Sequence, residues 1–253
     1  MAISPLAPID HASTVVGDAA SASHAISNAA VHDVVDIEGR LVARCSFIGE
    51  MPHGVMTAFN TSGQPAMEAN YRFGKPHGPQ RLYDEEGRLL QQAQRIDGLQ
   101  HGLTTTYFPS GKIMLEQRYS AGVLDGESVT YEESGDVTNK APYVAGRLHG
   151  MVTYFREGRL IRQEQYKVGL LEGDSKDFTA TGSVALLTPY RANVIHGTLK
   201  RFWPNGQIME EVVYRNGKPS GSTKKFDPLG QEIGITVSPS GFMKSLEKIV
   251  KGH

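Results

Sequence analysis

Histidine followed by glycine recurs along this 253-residue chain at a spacing that could place several imidazoles in a row. His53, His77, His101, His149 and His196 each precede a glycine. Imidazole nitrogens are common zinc ligands, so such a row raises the question of a metal centre. If the histidines repeat along a sheet, however, neighbours lie about 9–10 Å apart, whereas each zinc–nitrogen bond is about 2.1 Å long. We therefore expect structural turn residues and no bound metal.

The other residue types that could do chemistry lack the spacing that catalysis needs. The glycine-rich segments 74–78 and 217–221 have no Gly-Lys-Ser/Thr ending and no following helix, so a phosphate loop is not expected. Carboxylate pairs such as Glu85-Glu86 and Glu210-Glu211 fit turns and exposed strand faces. No Gly-x-Ser-x-Gly or His-Glu-x-x-His motif is present. We expect no enzyme activity, no catalytic residue and no cofactor.

The histidines belong to a repeat whose glycines, here called the anchor glycines, are spaced by 24 residues with one interval of 23. They are Gly54, Gly78, Gly102, Gly126, Gly150, Gly173, Gly197 and Gly221. An aromatic residue follows every anchor glycine by five positions, and a second one precedes it by seven positions except at Arg95. A fixed period of this kind is typical of stacked copies of one supersecondary unit.

Each unit has the pattern of a β-hairpin. Leu103 to Phe108 forms one short run, Pro-Ser-Gly at 109–111 is a turn, and Lys112 to Tyr119 alternates with a period of two. We predict an all-β fold, an elongated twisted antiparallel sheet of about eight 24-residue hairpins and about sixteen strands. The His-Gly segments should form the corners between hairpins. The aromatic columns should line one face, as its core or, if exposed, as a binding strip.

The repeat register runs from residue 35 to residue 237 and leaves two flanking segments. Residues 1–34 should be a flexible leader rich in Ala and Ser, which could also serve a signal-less export route. Residues 238–253 should be a short helix, because Ser238-Pro239 suits a helix start and Phe242, Leu246 and Ile249 fall on one face. We expect this helix to cap the last hairpin, with binding of a partner as the alternative.

Charge is balanced overall but uneven along the chain. A formal net charge of −1 argues against a nucleic-acid binder, while ten Lys and Arg against five Asp and Glu follow residue 186. The plain interpretation is a solvated surface, and the alternative is a contact with a protein partner or an anionic lipid. The candidate contact residues are Lys218, Lys224, Lys225, Arg201 and Trp203. With no signal peptide and no apolar run of membrane length, we expect a cytoplasmic protein that does not span the membrane.

The repeat units resemble MORN repeats. The resemblance is carried by Tyr-Ser-Ala-Gly-Val-Leu-Asp-Gly at 119–126, Tyr-Val-Ala-Gly-Arg-Leu-His-Gly at 143–150 and Tyr-Arg-Asn-Gly-Lys-Pro-Ser-Gly at 214–221. The turn Phe-Trp-Pro-Asn-Gly-Gln-Ile at 202–208 and the 24-residue period are similar to the bacterial MORN-variant repeat of YwqK-type antitoxins. The resemblance covers about 200 of 253 residues and departs at Arg95, at Asn193 and in the leader.

The resemblance implies a hairpin-repeat sheet and a role in binding. Similar proteins are antitoxins or immunity proteins that neutralise secreted antibacterial effectors, lipases and phospholipases among them. We therefore expect a non-enzymatic protein that binds a cognate toxin or effector directly. Two alternatives stay open: a MORN scaffold or lipid-surface-binding module, and an exported effector or its chaperone or adaptor.

Overall fold

The structure is a computed structural model that describes residues 30–236, and these residues form one antiparallel sheet of 23 strands. Pairing follows chain order, so each strand contacts its neighbours in sequence. The strands are β1 Ala30–Val35, β2 Leu41–Ile48, β3 Met51–Phe59, β4 Pro65–Arg72, β5 Lys75–Tyr83, β6 Leu89–Ile96, β7 Leu99–Gln100, β8 Gly102–Tyr107, β9 Ile113–Ser120, β10 Val123–Tyr131, β11 Val137–Val144, β12 Arg147–Leu148, β13 Gly150–Arg156, β14 Arg159–Lys167, β15 Leu170–Leu171, β16 Gly173–Phe178, β17 Val184–Arg191, β18 Val194–Ile195, β19 Gly197–Phe202, β20 Ile208–Arg215, β21 Lys218–Pro219, β22 Thr223–Phe226 and β23 Glu232–Thr236.

The predicted all-β hairpin sheet is confirmed, with a small difference in strand number. Five of the 23 strands have two residues, and each is the start of the strand that follows: β7, β12, β15, β18 and β21. Counting each such pair as one hairpin arm gives eighteen arms, where sixteen strands were predicted. One extra arm is β1, which pairs with β2 from Ala30 onward, inside the segment predicted as leader. The rest of that leader and the predicted helix over 238–253 lie outside the described residues. Within residues 30–236 there is no helix long and apolar enough to cross a membrane.

Two-residue corners join each hairpin to the next. At Phe73-Gly74, both residues have positive φ, 48° and 80°, as in a type I′ turn, whose twist matches that of the flanking strands. Asn193, at a position where the other corners have glycine, has φ of 67° and keeps the same conformation. The corners with two positive φ values are Phe73-Gly74, Asp97-Gly98, Ala121-Gly122, Ala145-Gly146, Val168-Gly169, Ala192-Asn193 and Asn216-Gly217.

Each of these corners is tied to the preceding hairpin by a backbone hydrogen bond, here called the corner bond. The second corner residue donates its N–H to a carbonyl 21 or 22 residues earlier, at 2.8–3.0 Å. The pairs are Gly74 with Pro52, Gly98 with Pro76, Gly122 with Gln100, Gly146 with Leu124, Gly169 with Leu148, Asn193 with Leu171, and Gly217 with Ile195. Corner bonds therefore run along one edge of the sheet, in addition to the strand ladders.

Seven of the eight anchor glycines lie in strands, and Gly221 lies between β21 and β22. None is at a corner, so that prediction was wrong. The chain reverses at Ala121-Gly122, whereas Gly126 sits four residues further on, within β10. There the pairing of β9 with β10 jumps from Tyr119↔Leu124 to Gln117↔Ser128, so the residues around Gly126 bulge against Arg118 alone. Gly126 has φ of 127°, and a Cβ on it would lie 2.9 Å from the Cβ of Arg118.

The two faces of the sheet differ in burial. The inner face carries a central line of small or apolar side chains that includes Cys45, Ala69 and Leu199. Of the buried residues, all except Thr105 and Val129 lie on this face. The outer face carries the alternate residues of the same strands. The core is therefore a single line along one side of the sheet.

The two aromatic columns lie on opposite faces, whereas one shared face was predicted. The column that precedes the anchor glycines, from Tyr71 to Tyr214, is on the inner face. The column that follows them is on the outer face, where the hydroxyls of Tyr83 and Tyr131 donate to Glu68 and Glu116, at 2.9 and 2.8 Å. Across a two-residue corner an odd-numbered residue pairs with an even-numbered one, as Tyr119 does with Leu124. An even spacing of twelve positions across that corner therefore changes the face, which a simple count of positions did not reveal.

We predict that Gly126→Ala destabilises the sheet more than Gly111→Ala. Alanine at either site must adopt positive φ, which costs about 1–2 kcal/mol. Gly111, in a turn with φ of 82°, has nothing within 4 Å of the added Cβ, whereas Gly126 meets the Cβ of Arg118. We expect a loss of about 3–4 kcal/mol at Gly126, seen as a lower midpoint of urea unfolding. Equal midpoints for the two variants would contradict the role assigned to the bulge.

Candidate functional site

The side chains that precede the anchor glycines reach the next corner along the chain. In four units this side chain accepts a hydrogen bond from the N–H of the first corner residue, 20 residues later. Donor and acceptor are Phe73 and His53 at 3.4 Å, Ala121 and His101 at 3.5 Å, Asn216 and His196 at 3.5 Å, and Ala192 and Glu172 at 2.8 Å. The histidines use Nδ1, so they accept as the tautomer protonated at Nε2.

The repeated histidines thus have a structural use that explains why Glu172 can replace them. Either side chain supplies the acceptor that an otherwise exposed corner N–H needs. His77 differs, because its Nδ1 lies 3.3 Å from the Asp97 carboxylate at the next corner. Among residues 30–236, no three His, Cys, Asp or Glu side chains are grouped closely enough to hold a metal ion.

Arg95 is a charged side chain in the first half of the inner face, where its Nε donates to Oε1 of Gln80. In the row beside the central line, charged side chains are confined to the second half. One row of cross-strand neighbours, here called the inner row, runs along this face beside the central line. From β2 to β13 it is uncharged: Ala43, Ala58, Met67, Leu82, Gln91, Thr106, Leu115, Thr130, Asn139 and Tyr154. From β14 to β22 it becomes the charged section: Arg162, Asp177, Leu186, Arg201, Glu210 and Lys225.

The first residue of the charged section, Arg162, contacts a buried carboxylate, that of Glu164. Glu164 is 7% exposed and lies in the central line opposite Val152. Its Oε2 accepts from the hydroxyls of Tyr154 at 3.0 Å and Tyr166 at 3.1 Å, and its Oε1 accepts from Nε of Arg162 at 2.8 Å. Both oxygens are therefore occupied, which is what allows a charge to remain buried.

Arg162 links this carboxylate to a second one. Its Nη1 donates to Oδ1 of Asp177 at 3.1 Å, so a single guanidinium faces two carboxylates. Burial acts to lower the pKa of Arg162, but the neighbouring Asp177 and Glu164 raise it above its usual value. For Asp177, burial has the larger effect and raises the pKa of the carboxyl despite Arg162. Burial and the adjacent Glu164 also raise the pKa of Tyr154.

A cavity of about 480 Å³ opens beside this group. Its walls include Ile161, Leu186, Ile195 and Leu199, which are apolar. Polar groups come from Arg162, Asp177, Thr188 and Tyr190, and Arg156 also lines the cavity. Pockets of about 300–1,000 Å³ with apolar walls and a few converging polar groups are typical of ligand sites.

The structure separates the contact residues that the sequence suggested. Arg201 and Lys225 lie in the charged section of the inner face, beside Glu210. Lys224 is the outer-face neighbour of Glu211, and Lys218 is exposed next to the last corner. Trp203 lies in a turn, where its indole N–H donates to the carbonyl of Phe226 at 3.0 Å. The three lysines therefore do not form one patch.

Sequence reasoning missed Arg162, Glu164 and Asp177. Glu164 follows its anchor glycine, Gly150, by fourteen positions. In three other units the residue fourteen positions after the anchor glycine is also a glutamate, and it lies on the outer face: Glu68, Glu116 and Glu211. The unit of Gly150 has 23 residues because its hairpin turn is the two-residue Glu157-Gly158. The missing turn residue moves Glu164 to the inner face. Aligning the strands rather than the glycines would have shown this shift.

One family of known proteins matches part of the repeat. A family model described as MORN repeat variant matches residues 100–121 and 195–216. Both segments run from the acceptor residue of one corner bond, Gln100 or Ile195, to the first residue of the next corner. Two of the repeat units therefore match a MORN repeat variant, and the other units share their register. No curated protein sequence matches this chain.

One solved structure is a mutant of S. aureus TarM in complex with fondaparinux, α-GlcNAc-glycerol and UDP. It matches with 12% sequence identity and a TM-score of 0.25, over 47% of this chain and 19% of that one. This chain thus spans about a fifth of the TarM chain's length. A likeness at this level carries no argument about fold or function.

We predict that Asp177→Asn changes how stability depends on pH. Because burial in the folded protein raises the pKa of Asp177 above its usual value, the folded state holds the proton more tightly than the unfolded state. The wild-type contribution therefore falls as pH rises through this window and is regained as pH falls. We expect the wild type to gain free energy of unfolding relative to Asp177→Asn between about pH 7 and about pH 4.

Urea unfolding at several pH values measures this difference. Asp174→Asn, at an exposed position of the same strand, is the matched control. A wild-type advantage that shrinks on acidification would contradict the prediction.

Proposed function

We propose that this protein is a non-enzymatic binding protein that holds a protein partner against the charged section of its inner face. The observation that supports this is the change of the inner row from uncharged to charged at Arg162. The first half of the sheet builds the same fold with Ala58, Met67 and Leu82 in these positions. The charges are therefore not needed for folding.

Their energetic cost supports the same proposal. Ion pairs withdrawn from water are often no more stable than apolar residues of similar size, because desolvation offsets the attraction. Asp177 and Glu210 nevertheless stand beside Arg162 and Arg201 on a partly buried face, with N–O distances of 3.1 and 3.7 Å. Alternating charges of this kind favour a specific partner over others through electrostatic complementarity.

We propose further that the partner is a cognate toxin or secreted effector and that binding occludes it. This follows from the resemblance to MORN-variant antitoxins, and binding by a long sheet face is a suitable way to cover another protein. The buried carboxylate of Glu164, beside the charged section, supports a binding role rather than catalysis, since both of its oxygens are already bonded. We place this action in the cytoplasm.

We predict that Lys225→Glu weakens partner binding and that Lys224→Glu does not. The two lysines are adjacent and exposed but lie on opposite faces, beside Glu210 and Glu211 respectively. Reversing an interfacial charge commonly costs about tenfold or more in affinity. The test is co-expression with the product of the neighbouring gene, followed by purification and calorimetry of the complex.

We expect the wild type to abolish the toxicity of that product and to form a stable complex with it. Lys225→Glu should lower the affinity and restore part of the toxicity, while Lys224→Glu should behave as wild type. A neighbouring product that is not toxic would rule out the antitoxin role. Loss of binding by Lys224→Glu alone would move the interface to the outer face.

A second candidate, a lipid-surface module, is favoured by a basic row on the outer face. Lys176, Lys200 and Lys224 occupy equivalent positions in three successive units, and only Glu211 stands between them as an opposing charge, 3.3 Å from Lys200. This candidate predicts binding to vesicles with anionic lipid that weakens with salt and with Lys224→Glu but not with Lys225→Glu. Equal binding to neutral vesicles would argue against it.

A further inference from the structure

We infer that the cavity beside Arg162 and Asp177 is an anchor site for one cationic side chain of the partner, a lysine or an arginine, whose charge pairs with Asp177. The inference rests on the proposed function only in taking the partner to be a protein. The cation site itself belongs to this chain and can be tested without that partner.

The first argument is the balance of charge at the base of the cavity. Arg162 is the cation that contacts both Glu164, at 2.8 Å, and Asp177, at 3.1 Å. This group of three therefore carries one excess negative charge. Glu164 is satisfied by two tyrosine hydroxyls and Arg162, so the excess is least compensated at Asp177.

The position of Asp177 makes this charge reachable. Its side chain is 23% exposed and lines the cavity, and its contact with Arg162 uses Oδ1. No hydrogen bond to Oδ2 of Asp177 is formed by any group within residues 30–236. A carboxylate oxygen in this situation accepts best from a charged donor, because such hydrogen bonds are shorter and about twice as strong as neutral ones.

The walls of the cavity fit the rest of a long basic side chain. Ile161 and Ile195 are half-buried and supply apolar surface, against which the methylene stem of lysine or arginine packs while its charged end reaches a polar group. Thr188 and Tyr190 add hydroxyls near the base. Leu199 and Leu186 are nearly inaccessible, at 1% and 5%, so the base of the site is a rigid part of the core.

The other charged and titratable groups around the cavity are few. Tyr154, Tyr166 and Tyr190 face the carboxylates, and burial raises the pKa of each phenol, so they remain neutral donors. Arg156 lies at the hairpin turn and is exposed. Its positive charge would repel a cationic side chain that enters the cavity. Removing that charge therefore tests whether the ligand is a cation or an anion.

The experiment uses small probes in place of the partner. N-acetyl-arginine amide and N-acetyl-lysine amide are titrated into the isotope-labelled full chain, with N-acetyl-leucine amide and N-acetyl-glutamate amide as controls. We expect saturable NMR shifts for Asp177, Leu186 and Leu199 with the basic probes, at a dissociation constant on the order of 10 mM. Asp177→Asn should weaken this binding about tenfold, and Arg156→Gln should leave it equal or tighter.

A second variant covers the case in which Asp177→Asn disturbs the sheet. Ile161→Lys places a resident ammonium group at a half-buried position of the cavity wall, so it should abolish binding of the basic probes while all corner signals stay unchanged. The inference would be overturned if the glutamate probe bound to the wild type and its binding were lost in Arg156→Gln. The site would then be specific for an anion. Equal shifts with all four probes would also overturn it.

The two proposals fail in different ways. If the basic probes bind at Asp177 but no neighbouring product forms a complex, the cation site stands and the antitoxin role falls. If the partner binds the inner face but Asp177→Asn and Ile161→Lys leave its affinity unchanged and the probes do not bind, the proposed function stands and this inference falls.

Discussion

One backbone hydrogen bond sets the geometry of this sheet. The second residue of each corner donates to a carbonyl in the preceding hairpin, so both the position and the conformation of every corner are fixed relative to the one before. At these corners two successive residues have positive φ, even where the first is Val168 or Ala192. The N–H of the first corner residue also faces the preceding hairpin, where a histidine or glutamate 20 residues earlier accepts it. The histidine of the His-Gly repeat is therefore explained by the corner N–H, and its glycine by the strand bulge.

The strands could be predicted from the sequence, but the structural role of the anchor glycines could not. Alternation of period two, with turn glycines at fixed spacing, predicted an antiparallel hairpin sheet, because these patterns depend on local geometry alone. The anchor glycines were assigned to corners since a corner and a strand bulge both need positive φ. Gly126 shows the distinction: what excludes a side chain there is the neighbouring strand, through Arg118. Contacts of that kind become visible only with the pairing register.

The candidate site was less predictable because its residues are defined by the face on which they lie. A one-residue shift of register moves every side chain of a strand to the other face. The short turn at Glu157-Gly158 makes such a shift and turns Glu164 towards the core. Of the five contact residues that the sequence suggested, Arg201 and Lys225 are in the charged section, and the adjacent Lys224 is not. Alternation could have separated the two lysines but could not assign a face to Arg162.

The meander order of the strands also has a mechanical consequence. Every arm of the sheet is paired in the strand ladders only with the arms before and after it, and these ladder bonds point along the long axis. Tension applied between β1 and β23 therefore loads one arm at a time, and each arm peels away from one end instead of shearing as a whole. Such a sheet lengthens stepwise at low force. A partner bound across β14 to β22 would contact several arms at once and would hold them together against that force.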